Sequence, residues 1–149
     1  SSDVCSSDLG DVGSIEELSG DYFIHTGSPH YIQYVNEVEE VDVDKQGKAI
    51  RYNNRYKEEG TNVNFVSKKL EGLDVRTYER GVEGETYSCG TGVTAAALSY
   101  VYKYDSKESL VLIKTKGGEL KISFERKGKQ QFENIWLIGP AELVFEGKL

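Results

Sequence analysis

The sequence predicts an α+β fold in which a curved, mostly antiparallel β-sheet or barrel wraps around one central α-helix. Three observations lead to this prediction. Alternating, β-rich segments dominate the chain, they lie on both sides of a single long helical pattern, and that helix is built largely from small residues. With 149 residues, of which 38% are hydrophobic, the chain has the size of one domain and the composition of a globular protein.

Seven segments have the pattern of strands. Three precede the helix and four follow it, and they cover residues 31–35, 62–66, 74–80, 110–115, 119–124, 134–139 and 141–147. Lys116, Gly117 and Gly118 separate the fourth and fifth segments, and a glycine supplies the positive φ of a tight hairpin. Gly139 and Pro140 are a predicted break between the last two.

Two segments have the period of a helix. Residues 92–104 show it strongly, with one stripe formed by Val93, Ala96, Ala97, Tyr100, Val101 and Tyr104. Residues 41–52 show it weakly. We therefore expect the first of these helices to pack inside the curved sheet.

The charge pattern limits the partners of the chain. The net charge is −7 and the basic residues are scattered singly, which argues against nucleic acid. No apolar run approaches the roughly 20 residues of a membrane helix. Two cysteines are too few for a disulfide framework and no secretion signal is recognised, so we expect a cytoplasmic protein.

Residues 1–9 have a composition unlike the rest of the chain. The segment SSDVCSSDL is serine-rich, lacks periodicity and back-translates into a common sequencing-library adapter read in frame. We interpret residues 1–9 as a non-native, adapter-derived segment, which leaves residues 10–149 as one natural unit. Cys5 then has no function, and Cys89 is the cysteine of interest.

The segment around Cys89 has the residues of a reactive site. Cys89 lies just before the long helix and is followed by Gly90, Thr91 and Gly92. Unpaired N–H groups and the positive end of the helix dipole favour a thiolate there. Glycine allows a ligand to approach the main chain, so the same N–H groups can bind a carboxylate. A lone cysteine is more often a buried hydrophobe, but these polar neighbours favour the reactive alternative.

Three further polar clusters accompany Cys89. Glu79 and Arg80 end a predicted strand shortly before it, although such a pair is commonly a surface ion pair. His30 follows the segment Thr26–Pro29 and can equally be structural. Asn62 begins the strand NVNFV, where a plain turn role is equally open.

These clusters, in this order, resemble the diaminopimelate epimerase family. The matching segments are TGSPH, EGTNVNF, YERG followed by GETYSCGTG, and the closing GPAELVFEG. The resemblance covers residues 20–149 and corresponds to the C-terminal half of that family's chain. It implies a lobe of curved sheet around a central helix, with the active site lying between two similar lobes.

The resemblance also implies roles for individual residues. Cys89 would be one of two acid/base cysteines, Glu79 its polar partner, and His30 an assistant to the opposite cysteine. Asn62 and Arg80 would hold the distal amino-acid end of the substrate.

Backbone groups and the cofactor requirement follow from the same resemblance. Gly90 and Thr91 would give N–H groups to the carboxylate at the reacting carbon. The implied reaction interconverts LL- and meso-diaminopimelate, in lysine and peptidoglycan precursor biosynthesis, with two thiols and with neither pyridoxal phosphate nor metal. A homodimer is the implied assembly.

Three features depart from the family pattern. Ser28 stands where many members have asparagine, the loop between Glu79 and Cys89 is one residue longer, and the family's upstream Cys-Gly-Asn-Gly segment is absent from this sequence. We therefore expect a C-terminal lobe that is inactive without the missing N-terminal lobe, with residues 144–149 as a strand belonging to that lobe.

Three other functions stay open at this point. One is a related racemase or isomerase, independent of pyridoxal phosphate, that acts on another substrate. Another is a cysteine hydrolase with Cys89 as nucleophile, His30 as base and Asn62 as orienting group. The last is a carboxylate-binding module without turnover.

Overall fold

A computed structural model of the chain describes residues 3–8, 12, 14–87 and 89–140. The chain order begins with strands β1 (Asp3–Asp8), β2 (Ile15–Leu18), β3 (Asp21–His25) and β4 (Pro29–Tyr34). A 3₁₀ turn (Val38–Glu40) and helix α1 (Val43–Arg51) follow, and then come β5 (Asn62–Lys69), β6 (Gly72–Glu79) and β7 (Gly84–Thr86). Helix α2 (Gly90–Tyr104) precedes β8 (Leu110–Thr115), β9 (Gly118–Arg126) and β10 (Phe132–Pro140).

The described strands form one curled, mixed sheet. Its order is β1-β10-β9-β8-β6-β5-β4-β3-β2, and β7 pairs with β6 beside this path. Neighbours are antiparallel except for the β4–β5 and β6–β8 pairs, which are parallel. Paired backbone bonds between Val12 and Phe132 bridge the two ends of the curl. This arrangement confirms the predicted α+β half-barrel.

Helix α2 lies inside the curl and is buried almost all round. Residues 92–99 and Val101 are buried, so the predicted single stripe is wrong, because the sheet surrounds the helix and is not confined to one side of it. Alanines 95–97 allow this close approach, and Ile24, Ile32 and Ile122 belong to the same core. Tyr104, assigned to the stripe, is 47% exposed.

Strand β5 is buried on both faces. Its outer face contributes Val63 and Phe65 to a second, smaller core with Val43 of α1 and Tyr78 of β6. Its inner face turns Asn62 and Asn64 toward α2. A strand buried on both sides normally reads as continuously apolar, so two inward asparagines require internal hydrogen-bond partners.

The hairpin and helix boundaries agree closely with the sequence. β8 has the predicted bounds, and in the turn that follows it Gly118 adopts the positive φ of +133°. β10 continues to Pro140, so the predicted break lies at its end; the predicted strand 141–147 and the terminal segment 144–149 lie outside the described residues. No helix within the described part of the chain is long and apolar enough to cross a membrane.

Candidate active site

Cys89 occupies the N-cap position of α2, as the sequence predicted. The first bond of the helix runs from Val93 N–H to the Cys89 carbonyl at 2.9 Å, so the N–H groups of Gly90, Thr91 and Gly92 precede the helical ladder. Cys89 is a half-buried free thiol, and its Sγ lies 3.5 Å from Thr91 Oγ1. A thiolate here would be stabilised by the helix end and by this hydroxyl.

Gly92 allows the helix to approach the sheet at this point. A Cβ atom there would lie 2.6 Å from Asn64 Oδ1 and 3.2 Å from His30 Cε1. The thiol, the imidazole and the amide are therefore packed around one glycine. This close approach explains why the glycine-rich sequence after Cys89 has a structural role as well as a chemical one.

His30 lies in β4 and is fully buried. Its Nε2 is 2.7 Å from Thr91 Oγ1 and 3.0 Å from Ser28 Oγ, and its Nδ1 is 2.9 Å from the Asn64 amide nitrogen. Burial, with smaller contributions from the charges of His25 and Arg80, lowers the pKa of His30 to about 3. His30 is therefore a neutral imidazole at physiological pH.

Asn62 connects the segment before His30 to the end of β6. Its amide nitrogen donates to the Pro29 carbonyl at 3.1 Å and to Ser28 Oγ at 3.4 Å. Its side-chain oxygen accepts from the Arg80 N–H at 2.8 Å. The predicted meeting of strand end and helix mouth is thus achieved through Asn62 and Ser28.

Arg80 lies just past the end of β6, where the sequence placed it. Its guanidinium donates to the Glu59 carbonyl at 2.9 Å, and its stem lies against Gly60, where a Cβ would be 2.5 Å from Arg80 Cδ. Arg51 packs on the other side of Gly60 and forms an ion pair with Glu83 at 3.2 Å. Two guanidinium groups therefore flank this glycine and make the region positive.

Glu79 ends β6 but does not reach the thiol. Its residue is half-buried, and among the described residues its carboxylate makes no hydrogen bond to Cys89. Ser88, which precedes Cys89, lies outside the described part of the chain. The structure therefore brings together Cys89, Thr91, His30, Ser28 and Asn62, while Glu79 stays apart from the thiol.

Two residues of this cluster were not predicted to take part. Asn64 contacts His30, and Thr77 donates its hydroxyl to Asn64 Oδ1 at 2.8 Å. Thr91 was expected to act through its N–H alone, yet its hydroxyl is the centre of the cluster. The spacing of Asn62 and Asn64 on one face of a buried strand was the available signal.

Comparison with known proteins is consistent with this geometry. A family model described as "Diaminopimelate epimerase" matches residues 22–144. A diaminopimelate epimerase of Flavobacterium psychrophilum is 39% identical over 97% of this chain and 56% of its own, and that of Aquifex aeolicus is 45% identical over 90% and 47%. The chain spans about half the length of these curated relatives.

Solved structures with low sequence identity share the fold. A phenazine biosynthesis protein of the PhzF family from Enterococcus faecalis aligns with a TM-score of 0.52 at 16% identity, over 79% of this chain and 40% of its own. A hydroxyproline epimerase from Agrobacterium vitis aligns with a TM-score of 0.50 at 9% identity, over 85% and 40%. Because the family model matches most of the sequence, the resemblance drawn from its motifs is confirmed, and the chain belongs to the diaminopimelate epimerase family.

Proposed function

We propose that this chain forms one side of an active site that epimerises LL-diaminopimelate to meso-diaminopimelate by proton transfer at the α-carbon. One observation carries the proposal: the Cys89 thiol lies at the N-cap of a buried helix, beside the leading N–H groups and 3.5 Å from the Thr91 hydroxyl. The names of the relatives support the choice of substrate.

Inversion of a stereocentre requires two proton-transfer groups on opposite faces of the carbon. A thiolate removes the α-proton from one face, and a protonated thiol delivers a proton to the other, so the reaction consumes no net proton. Cys89 supplies one of these sulfurs. The second comes from a segment that these 149 residues do not contain, and for this reason we propose that the chain alone does not turn over.

Substrate binding divides between the helix end and the strand end. The N–H groups of Gly90 and Thr91 hold the carboxylate next to the reacting carbon, where they also stabilise charge that develops in the carbanion. Arg80 and Asn62 hold the distal amino-acid end, and the two flanking guanidinium groups around Gly60 favour its carboxylate.

Three residues take supporting roles in this proposal. Ser28 lies between Asn62 and Thr91 and lines the substrate side of the cluster. Glu79 acts as the polar partner of Cys89 once the substrate is bound, and His30 assists the opposite cysteine. We further propose a cytoplasmic homodimer that uses neither pyridoxal phosphate nor metal, within lysine and peptidoglycan precursor biosynthesis.

The geometry gives little support to a cysteine hydrolase. In that mechanism His30 must accept the proton of Cys89. The His30 Nε2 instead lies on Thr91 and Ser28, and the buried imidazole has a pKa of about 3, which makes it a poor base. A racemase for another substrate and a carboxylate-binding module are separated from the proposal by experiment.

Deuterium incorporation tests the reaction. We would fuse this chain to the amino-terminal part of the Flavobacterium psychrophilum relative and incubate the fusion with LL-diaminopimelate in D₂O. The expected result is meso product with deuterium at the inverted α-carbon, no such product from the 149-residue chain alone, and none from the fusion carrying Cys89→Ser. Undiminished epimerisation by Cys89→Ser would contradict the proposal.

Amide NMR spectra test binding by the chain itself. Titration with meso-diaminopimelate should shift the Gly90 and Thr91 amide signals, while Gly128 in a distant turn stays unchanged. Lysine lacks the distal carboxylate and should bind more weakly, because it leaves Arg80 unpaired. Binding without any α-deuteration by the fusion would favour the non-catalytic module, and preference for another amino acid would favour a related racemase.

A further inference from the structure

The hydrogen bonds around His30 contain directional information. Asn64 lies behind the imidazole on β5, and its amide nitrogen is 2.9 Å from His30 Nδ1 and 3.3 Å from the Tyr31 carbonyl oxygen. A backbone carbonyl can only accept, so the amide group must present its NH₂ to this side. The Asn64 oxygen then faces Thr77, whose hydroxyl donates to it at 2.8 Å.

This orientation determines where the proton of His30 lies. Because Asn64 donates to Nδ1, that nitrogen is the acceptor of the neutral ring, and the proton must be on Nε2. The N–H at Nε2 then points at Thr91 Oγ1, 2.7 Å away. His30 is thus a hydrogen-bond donor toward the thiol side of the cluster.

A second chain of donors reaches the same oxygen. The Asn62 amide donates to Ser28 Oγ at 3.4 Å, and Ser28 Oγ lies 3.0 Å from Thr91 Oγ1. With its acceptor role toward Asn62 filled, the Ser28 hydroxyl donates to Thr91. Thr91 Oγ1 has two lone pairs and one hydrogen, so it accepts from both His30 and Ser28 and donates in one direction.

The remaining acceptor for Thr91 is the Cys89 sulfur, 3.5 Å from Oγ1. We propose that Asn64 is a positioning residue that fixes the His30 proton on Nε2, so that the donors converge on Thr91 and its hydroxyl donates to the Cys89 thiolate. This inference rests on the proposed function for the acid/base role of Cys89. It assigns His30 the part of a donor, whereas a base would need Nε2 unprotonated.

NMR of ¹⁵N-labelled histidine tests the proton position directly. The wild-type chain should show His30 as a neutral ring with the proton on Nε2. Asn64→Asp replaces the donor by an acceptor, so the proton should move to Nδ1. Ser67→Ala changes another buried residue of the same strand and should leave the His30 pattern unchanged. A wild-type proton on Nδ1 overturns the proposal, even if Asn64→Asp fails to fold.

The rate of alkylation tests the link to Cys89. Iodoacetamide reacts with the thiolate, and a Cys5→Ser background leaves Cys89 as the single thiol of the chain. Thr91→Val should slow alkylation at pH 7 about tenfold, the order expected from loss of one hydrogen bond to a charged group. Thr91→Ser keeps the hydroxyl and should retain the wild-type rate.

Asn64→Asp should also slow alkylation. An unprotonated Nε2 would accept the Thr91 hydrogen and remove it from the sulfur. Equal rates for wild type, Thr91→Val and Asn64→Asp would overturn the proposal. Neither readout uses diaminopimelate, so a chain with the expected tautomer and rates that fails to bind or epimerise diaminopimelate would contradict the proposed function alone.

Discussion

The side-chain oxygen of Asn62 accepts a hydrogen bond from the backbone N–H of Arg80 at 2.8 Å. This contact joins the start of β5 to the residue that follows β6. The amide nitrogen of Asn62 holds the Pro29 carbonyl at 3.1 Å, so one side chain connects three segments of the site. Asn62 is only 4% exposed, and its bonds have no easy replacement by water.

We predict that Asn62→Ala lowers the free energy of unfolding. The variant leaves the Arg80 N–H and the Pro29 carbonyl without their partner, which costs about 1–3 kcal/mol for buried groups. Urea denaturation of the purified chain measures the change. Asn36→Ala, at an exposed position, is the matched variant and should stay within about 0.5 kcal/mol of wild type.

The buried imidazole of His30 predicts a pH-dependent stability. The fold lowers its pKa from 6.5 to about 3, so between these values the unfolded chain binds a proton that the folded chain does not. Stability therefore falls as the pH falls from about 6.5 towards 3, with a maximum slope of about 1.4 kcal/mol per pH unit from this group.

His30→Gln isolates this contribution. The variant cannot titrate, so its unfolding free energy should depend less steeply on pH between 4.5 and 6.5 than that of wild type. His25→Gln removes an exposed histidine and should retain most of the wild-type slope. Parallel pH profiles for wild type and His30→Gln would show that His30 is protonated in the folded chain.

Gly47 in α1 sets two effects against each other. In an exposed helix, alanine is more favourable than glycine by about 1 kcal/mol. In this helix a Cβ at position 47 would lie 2.5 Å from Tyr78 Cβ, closer than any real contact of that kind. Tyr78 is 1% exposed and belongs to a packed core, so the ring cannot simply move aside.

We therefore expect Gly47→Ala to be destabilising despite its better helix propensity. Overpacking of a core costs about 1–3 kcal/mol, which exceeds the propensity gain at the upper end of that range. Ala49, exposed on the same helix, allows the reverse change as a control: Ala49→Gly should lose about 1 kcal/mol through propensity alone. A more stable Gly47→Ala chain would mean that α1 is not seated on β6 as described.

Much of the fold was predictable because its strands alternate. β8 and α2 follow strong local patterns, and the N-cap position of Cys89 follows from the glycines after it. The segment Ile15–Leu18 was missed because two adjacent glutamates interrupt its alternation, and β7 because it has only three residues. The buried surface around α2 depends on the curl of the sheet, which is a tertiary property.

The site was predictable in its residues and less so in its connections. Cys89, His30 and Asn62 were identified from their segments, but the contact between Asn64 and His30 requires the parallel register of β4 and β5. Strand register is set by long-range pairing, which no local pattern contains. The proximity of the Thr91 hydroxyl to His30 likewise depends on how α2 enters the curl.

Arg76 holds together the segments on the outer face of β6. Its guanidinium binds both oxygens of Glu85 at 2.7 Å and donates to the Val38 and Val41 carbonyls at 2.7 and 3.1 Å. The two side chains are only 18% and 14% exposed. Glu85 lies in β7, four residues before Cys89, so this clamp also anchors the segment that leads to the thiol.

We predict that Arg76→Lys is destabilising although it conserves the charge. A lysine cannot reproduce the planar fork that serves two carboxylate oxygens and two carbonyls. Loss of a fully buried pair costs about 3–5 kcal/mol, and the partial exposure here reduces the expected loss at pH 7 to about 1–3 kcal/mol. Lys127→Arg, in a surface pair with Glu125 whose members are about half exposed, is the reciprocal control and should have little effect.

The pH dependence of this loss has a definite sign. Hydrogen bonds from Arg76 hold the pKa of Glu85 below its usual value. The stabilisation is therefore complete above the unfolded pKa of about 4.5 and disappears as the pH falls through the lower folded value. The difference in unfolding free energy between wild type and Arg76→Lys should be largest at pH 7 and should shrink towards pH 3. A difference that grows in acid would mean that the Arg76–Glu85 pair does not stabilise the folded chain.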